Sequence, residues 1–167
     1  MMELICIDLE ASGLGTKSYP IEVAWINDKT GEYDQFLINP ESAPDWHYWD
    51  DNAEELHGIE RENLVAKGLD IVNACKRMNK MLAGKTLISD AFEFDRFWLT
   101  RLFDATGIAP SFSMAGLDKI LDREQRLQFN LLAKAQFRRH RALRDVEDII
   151  TCIKTVLFAG RNATTHG

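Results

Sequence analysis

Asp8 and Glu10 stand two residues apart at the end of the run Glu3-Leu-Ile-Cys-Ile-Asp-Leu-Glu10. On an extended strand, residues i and i+2 leave the same face, so the two carboxylates converge on one point. The flanking Ile5, Ile7 and Leu9 mark a central strand, where burying two like charges with no counter-ion is very costly. Asp95 repeats the anomaly on a helix, because Trp98, Leu99 and Leu102 make its face the apolar one. Two readings of Asp95 stay open, a metal ligand and an acid in a first helical turn favoured by capping and the helix dipole. Asp145 flanks the apolar stripe Val146, Ile149, Ile150, Ile153, Val156 and Leu157 of a last long helix. His140, five residues earlier, would lie about 140° away on a continuous helix. It is therefore expected on the preceding loop, leaning toward the carboxylates.

Four carboxylates without matching cysteine or histidine pairs favour hard, oxygen-seeking ions, Mg²⁺ or Mn²⁺, over zinc. Two such ions suit phosphodiester hydrolysis, one acidifying a water and the other steadying the leaving oxygen. A histidine beside the carboxylates is a candidate general base near neutral pH.

The elements that must position these groups read as follows. Residues 3–9, 21–27 and 33–38 form a three-stranded antiparallel meander, with a turn at Asp28 to Gly31. Helical stretches follow around 53–56, 60–66 and 70–83, the last with Ile71, Val72, Cys75, Met78 and Leu82 at helical spacing and Gly84 at its end. A strand at 86–89, a helix at 94–106 stopped by Gly107, and a short strand at 112–115 come next. Helices at 117–122, 124–137 and 142–158 complete the chain. Strands mostly first and helices mostly later predict a mixed five-stranded α/β sheet flanked by helices.

The 167 residues, 46% hydrophobic and 28% charged, fit one domain with a core that needs no disulfide or metal staple. We expect that domain over 1–160 and a polar tail over 161–167. No apolar run reaches membrane-span length, and acids occupy the N-terminus where a signal peptide carries bases, so a cytoplasmic protein without a membrane role is expected. Cys6, Cys75 and Cys152, odd in number and far apart, read as free thiols, two of them in apolar segments. The net charge of −6 argues against coating nucleic acid by charge alone. It hides an asymmetry: fourteen acids against two bases in residues 1–60, and eighteen bases against twelve acids in 61–167.

The ordered set Ile7-Asp8-Leu9-Glu10-Ala11-Ser12-Gly13-Leu14, Phe94-Asp95 and His140-Arg141-Ala142-Leu143-Arg144-Asp145 resembles the DEDDh, or DnaQ-like, family of 3′-to-5′ exonucleases, as does Leu56-His57-Gly58-Ile59 between the first two motifs. The resemblance implies a ribonuclease H-like fold and a two-metal site built by Asp8, Glu10, Asp95 and Asp145, with His140 as general base. Arg141 occupies the position where the tyrosine subclass carries its tyrosine, so the histidine subclass is the better match. The resemblance also implies that Ser12, Leu14, His57 and Phe94 hold the terminal nucleotide. The implied activity is release of nucleoside 5′-monophosphates from the 3′ end of single-stranded DNA, RNA or short oligonucleotides. The alternative is a weakly active or inactive module of the same fold docked on a polymerase or repair partner. Small members of the family are often homodimers.

Asp90 departs from the pattern, since the second motif commonly carries an asparagine in that region. Gly13-Leu-Gly-Thr-Lys-Ser18 lacks the glycine spacing of a phosphate loop. Trp46, Tyr48 and Trp49 suit base stacking or packing under a helix. Arg138, Arg139, Arg141 and Arg144 suit either a solvated face or guidance of a phosphate backbone. His47 and His166 have no supported role.

Overall fold

The computed structural model describes residues 3–136 and 138–164. Its sheet has the order β3-β2-β1-β4-β5, formed by β1 (Ile5–Ala11), β2 (Pro20–Asn27), β3 (Tyr33–Leu37), β4 (Thr86–Ser89) and β5 (Ser113–Gly116). The first three strands make the expected antiparallel meander, and β4 and β5 add in parallel on the other side of β1. The helices α1 (Asp51–His57), α2 (Arg61–Lys67) and α3 (Ile71–Leu82) connect β3 to β4. The helix α4 (Phe92–Thr106) connects β4 to β5, and α5 (Arg123–Ala135) and α6 (Ala142–Thr164) follow the last strand.

Alternation along β1 divides the core in two. Ile5, Ile7 and Leu9 join a buried cluster with Trp25, Met78, Leu99 and Leu102, under α3 and α4. Leu4, Cys6, Ala24 and Ile88 join a second cluster with Phe129 of α5 and Val146, Ile149 and Ile153 of α6. Both faces of β1 are covered, as its nearly continuous apolar run requires. The acids Asp8 and Glu10 therefore continue the row begun by Cys6, at the C-terminal end of a strand buried on two sides. All three cysteines are buried and free.

Local chemistry ends the elements where the sequence suggests. Asp50 and Asp70 cap α1 and α3 through their side chains, and Gly107 closes α4 in the left-handed region at φ +72°. Three details differ from expectation. The segment 117–122 is only a 3-10 turn at Leu117–Lys119, because Asp122 and Gln125 form a capping box that starts α5 just beyond it. The helix α4 starts two residues before position 94, because the Ser89 hydroxyl accepts the Ala91 N–H at 3.1 Å and turns the chain early. The helix α6 runs on to Thr164, into the segment read as a polar tail, and residues 165–167 lie outside the described residues, as does Phe137. Among the described residues no helix is long and apolar enough to cross a membrane.

Candidate active site

The acids meet at the C-terminal ends of β1 and β4. One oxygen from each of Asp8, Glu10 and Asp145 lies within 4.8 Å of the others, and so does one from each of Asp8, Asp90 and Asp95. Asp8 belongs to both groups and sits between them. A register shift after Glu10, where Glu10 faces Glu22 but Ala11 faces Pro20, interrupts the ladder beside the acids.

Asp95 stands in the first turn of α4, whose N-cap is Ala91 with no side-chain capping bond. Asp95 instead accepts the Ser89 hydroxyl at 2.6 Å and is 1% exposed. Its side chain is thus not a cap, while its first-turn position keeps the favourable helix dipole. Asp145 is 3% exposed, and both its oxygens lack a hydrogen-bond partner, as does Oδ2 of Asp8. Burial, followed by the neighbouring carboxylates, pushes Asp8 well above the usual carboxylate range. Glu10 is raised by burial and then by Asp145. Asp95 and Asp90 are also raised, chiefly by burial. Like charges crowded in low dielectric resist ionisation until a cation joins them.

Arg138 is the cation the chain itself supplies. Its guanidinium lies 3.7 Å from Asp8 Oδ1 and 3.5 Å from Asp145 Oδ2, with half its side chain in solvent. Hence the arginine run 138–144 is not one surface. Arg138 faces the acids, Arg141 pairs with Glu22, and Arg139 and Arg144 are exposed.

His140 lies on the loop before α6, as its spacing from Asp145 predicts, and lines the same cleft as Asp8 and Glu10. Its φ of +54° is left-handed, which a non-glycine residue adopts only when its surroundings hold it there. The holder is Glu22. This residue is 1% exposed, pairs bidentately with Arg141 (2.7 and 3.2 Å) and accepts the Ala142 N–H at 2.8 Å. It thereby satisfies an otherwise orphaned donor at the start of α6 and places negative charge at the positive end of its dipole.

The cleft holds about 420 Å³. Leu14 and Phe94, 66% and 53% exposed, form part of its wall. The Phe94 ring leans on Trp98, which in turn donates to Ser18 at 2.9 Å. His57 lines the cleft while nearly buried. Its Nδ1 accepts the Ile59 N–H at 3.0 Å, its Nε2 is unpartnered, and burial lowers its pKa to about 4, so at neutral pH it carries no charge. Ser12 does not line the cleft. It is fully buried, its hydroxyl accepts the Tyr19 N–H at 3.1 Å, and its backbone N–H and C=O bond Tyr19 and Asp50.

The aromatic loop divides as well. Trp46 is buried in a stack on Tyr19, and Trp49 meets His57 edge-on. Tyr48 lies so close to Gly13 that a Cβ there would come within 2.7 Å of its ring. Sequence reasoning missed Glu22, Arg138 as a partner of the acids, and Leu56 on the cleft wall.

This arrangement is a ribonuclease H-like α/β fold with an acid cluster at the carboxyl end of its central strand. Solved structures of exonuclease I share that fold. The E. coli enzyme in complex with a dT13 oligonucleotide aligns with a TM-score of 0.77 at 18% identity, over 99% of this chain and 43% of that one. The zinc-bound form of the E. coli complex with single-stranded DNA aligns with a TM-score of 0.75 at 18% identity, over 98% and 42%. The chain thus spans less than half the length of these exonuclease I chains. No protein-family model and no curated protein sequence matches it.

Proposed function

We propose that this protein is a metal-dependent 3′-to-5′ exonuclease of the DEDDh type, with residues 1–160 as its catalytic domain. It removes nucleoside 5′-monophosphates from the 3′ end of single-stranded DNA, RNA or short oligonucleotides. One observation carries the reading: Asp8, Glu10, Asp95 and Asp145 converge, largely buried and partly unpaired, at the end of a cleft that His140 also lines. The chemistry of the donor set fits Mg²⁺ or Mn²⁺, since every group is a carboxylate. Similarity of fold to an enzyme solved with bound single-stranded DNA supports the substrate class.

Two divalent ions, when bound, supply an acidified water and charge stabilisation at the leaving oxygen. Asp8 lies between the two acid groups and is shared by both. His140, carried on a backbone that Glu22 pins, accepts the proton of the attacking water. Leu14 and Phe94 present apolar surface on which a terminal base stacks. The neutral His57 offers an Nε2–H donor to the sugar or phosphate without adding charge. Arg138, half exposed beside the acids, offers its guanidinium to a phosphate of the strand.

The test is to incubate the protein with matched 5′-labelled single-stranded DNA and RNA, with Mg²⁺, with Mn²⁺ and with chelator, and to resolve products by length. A metal-dependent ladder shortening from the 3′ end is expected. Intact strands under every condition would overturn the reading and favour a non-catalytic module of this fold.

A further inference from the structure

Asp90 occupies a place that the topology of the sheet makes special. The parallel pairing of β1 with β4 sets Cys6 opposite Ile88. Two residues further along stand Asp8, still within β1, and Asp90, the first residue beyond the end of β4. Asp90 thus enters the acid cluster from the turn between β4 and α4, while Asp95 enters from α4 itself. One oxygen of each of these three residues lies within 4.8 Å of the other two.

Two further observations point to a ligand. Asp8, 2% exposed, leaves its Oδ2 without a hydrogen-bond partner, and Asp90 does the same with Oδ1. Buried carboxylate oxygens are normally satisfied, and two orphaned ones within one acid cluster are costly unless a cation enters. Arg138 acts on Asp90 only at longer range. Among the described residues its ion pairs are with Asp8 and Asp145.

We infer that Asp90 is a fifth metal-ligating carboxylate, completing with Asp8 and Asp95 a three-carboxylate set that holds one of the two divalent ions before any substrate arrives. This inference rests on the two-metal reading of the site and extends it. Charge balance agrees, because five carboxylates are neutralised by two divalent ions together with Arg138. With an uncharged side chain at 90, the same ion would have two protein carboxylates and would depend on a substrate phosphate for its remaining charge. The number of charged oxygen ligands is what tunes affinity for a hard cation. Asp90 thus decouples ion loading from substrate binding.

The experiment is calorimetric titration of Mn²⁺ into the full chain without nucleic acid, for wild type, Asp90→Asn, Asp90→Ser and Asp145→Asn, with melting curves to check folding. Wild type is expected to bind two ions. Asp90→Asn and Asp90→Ser should weaken one of them on the order of tenfold or more, leaving the other as in wild type. Asp145→Asn should weaken the other ion instead. Wild-type affinity for both ions in the Asp90 variants would overturn the inference, as would equal weakening of both. The strand-shortening assay on the same samples separates the two ideas. Selective loss of one ion with no shortening by wild type keeps Asp90 as a ligand and rejects the exonuclease. Shortening by a wild type whose ion binding ignores Asp90 does the reverse.

Discussion

Two sets of buried carboxylates in this molecule differ in what surrounds them. Glu22 and Asp34 each face a bidentate arginine, Arg141 and Arg77, and Glu22 also accepts the Ala142 N–H and the Gln35 amide. Asp8 and Asp145 are buried to the same degree, yet they share one half-exposed Arg138 at 3.5 to 3.7 Å and leave three oxygens without a hydrogen bond. A buried charge that is fully hydrogen-bonded fixes structure. A buried charge left open keeps coordination free for something that arrives later. The first set ties edge strand β3 to α3 and β2 to the start of α6, and the second lies where those ties hold it.

The comparison breaks first at activity. Asp8→Asn and Asp145→Asn remove an open carboxylate and should lower the rate of strand shortening by roughly three orders of magnitude or more, while raising the melting temperature in chelator as repulsion is relieved. Steady-state cleavage beside a melting curve checks both signs. His140→Ala should cost roughly 100- to 10,000-fold in kcat as loss of a general base, with Mn²⁺ binding by calorimetry intact. Loss of ion binding in that variant would reassign His140 to the ligand set.

The paired set should respond in the opposite direction. Glu22→Gln removes the partner of Arg141 and weakens the anchor of α6, so it should destabilise the protein by about 2 kcal/mol, read by chemical denaturation. Half of Arg141 remains in solvent, which limits the loss. The smallest effect is at the cleft wall. Phe94→Ala should raise KM for a single strand about tenfold or less through lost stacking, with kcat nearly unchanged.

The open carboxylates were visible in the sequence because each breaks a pattern. Asp8 and Glu10 end an apolar strand, Asp95 sits on an apolar helix face, and His140 cannot share a face with Asp145. The meander and the long helices were visible for the same reason, through periodicity and caps. Glu22 was not, because it occupies the non-apolar position of an alternating strand and resembles a solvent-facing acid. Its partner Arg141 is 119 residues away in the chain, and no local signal links them. Ser12 lies in a motif but spends its polar groups on Tyr19 and Asp50, which only the folded loop reveals. The 3-10 turn at Leu117–Lys119 fell to the capping box beyond it, a competition that helical propensity alone does not weigh.

The most direct test of the contrast is the pH dependence of stability with and without Mn²⁺. Unfolded carboxylates titrate near 4, whereas burial and mutual repulsion raise Asp8, Glu10, Asp90 and Asp95 in the folded state. Between the two ranges the folded protein holds more protons, so stability must fall as pH rises through that window. In chelator, wild type should therefore melt at progressively lower temperature from acid to neutral pH, and Mn²⁺ should restore the loss at the upper end. Asp8→Asn should flatten the pH dependence and abolish most of the Mn²⁺ effect. A wild-type melting temperature that does not respond to Mn²⁺ at neutral pH would contradict the account, because the open carboxylates would then hold no cation.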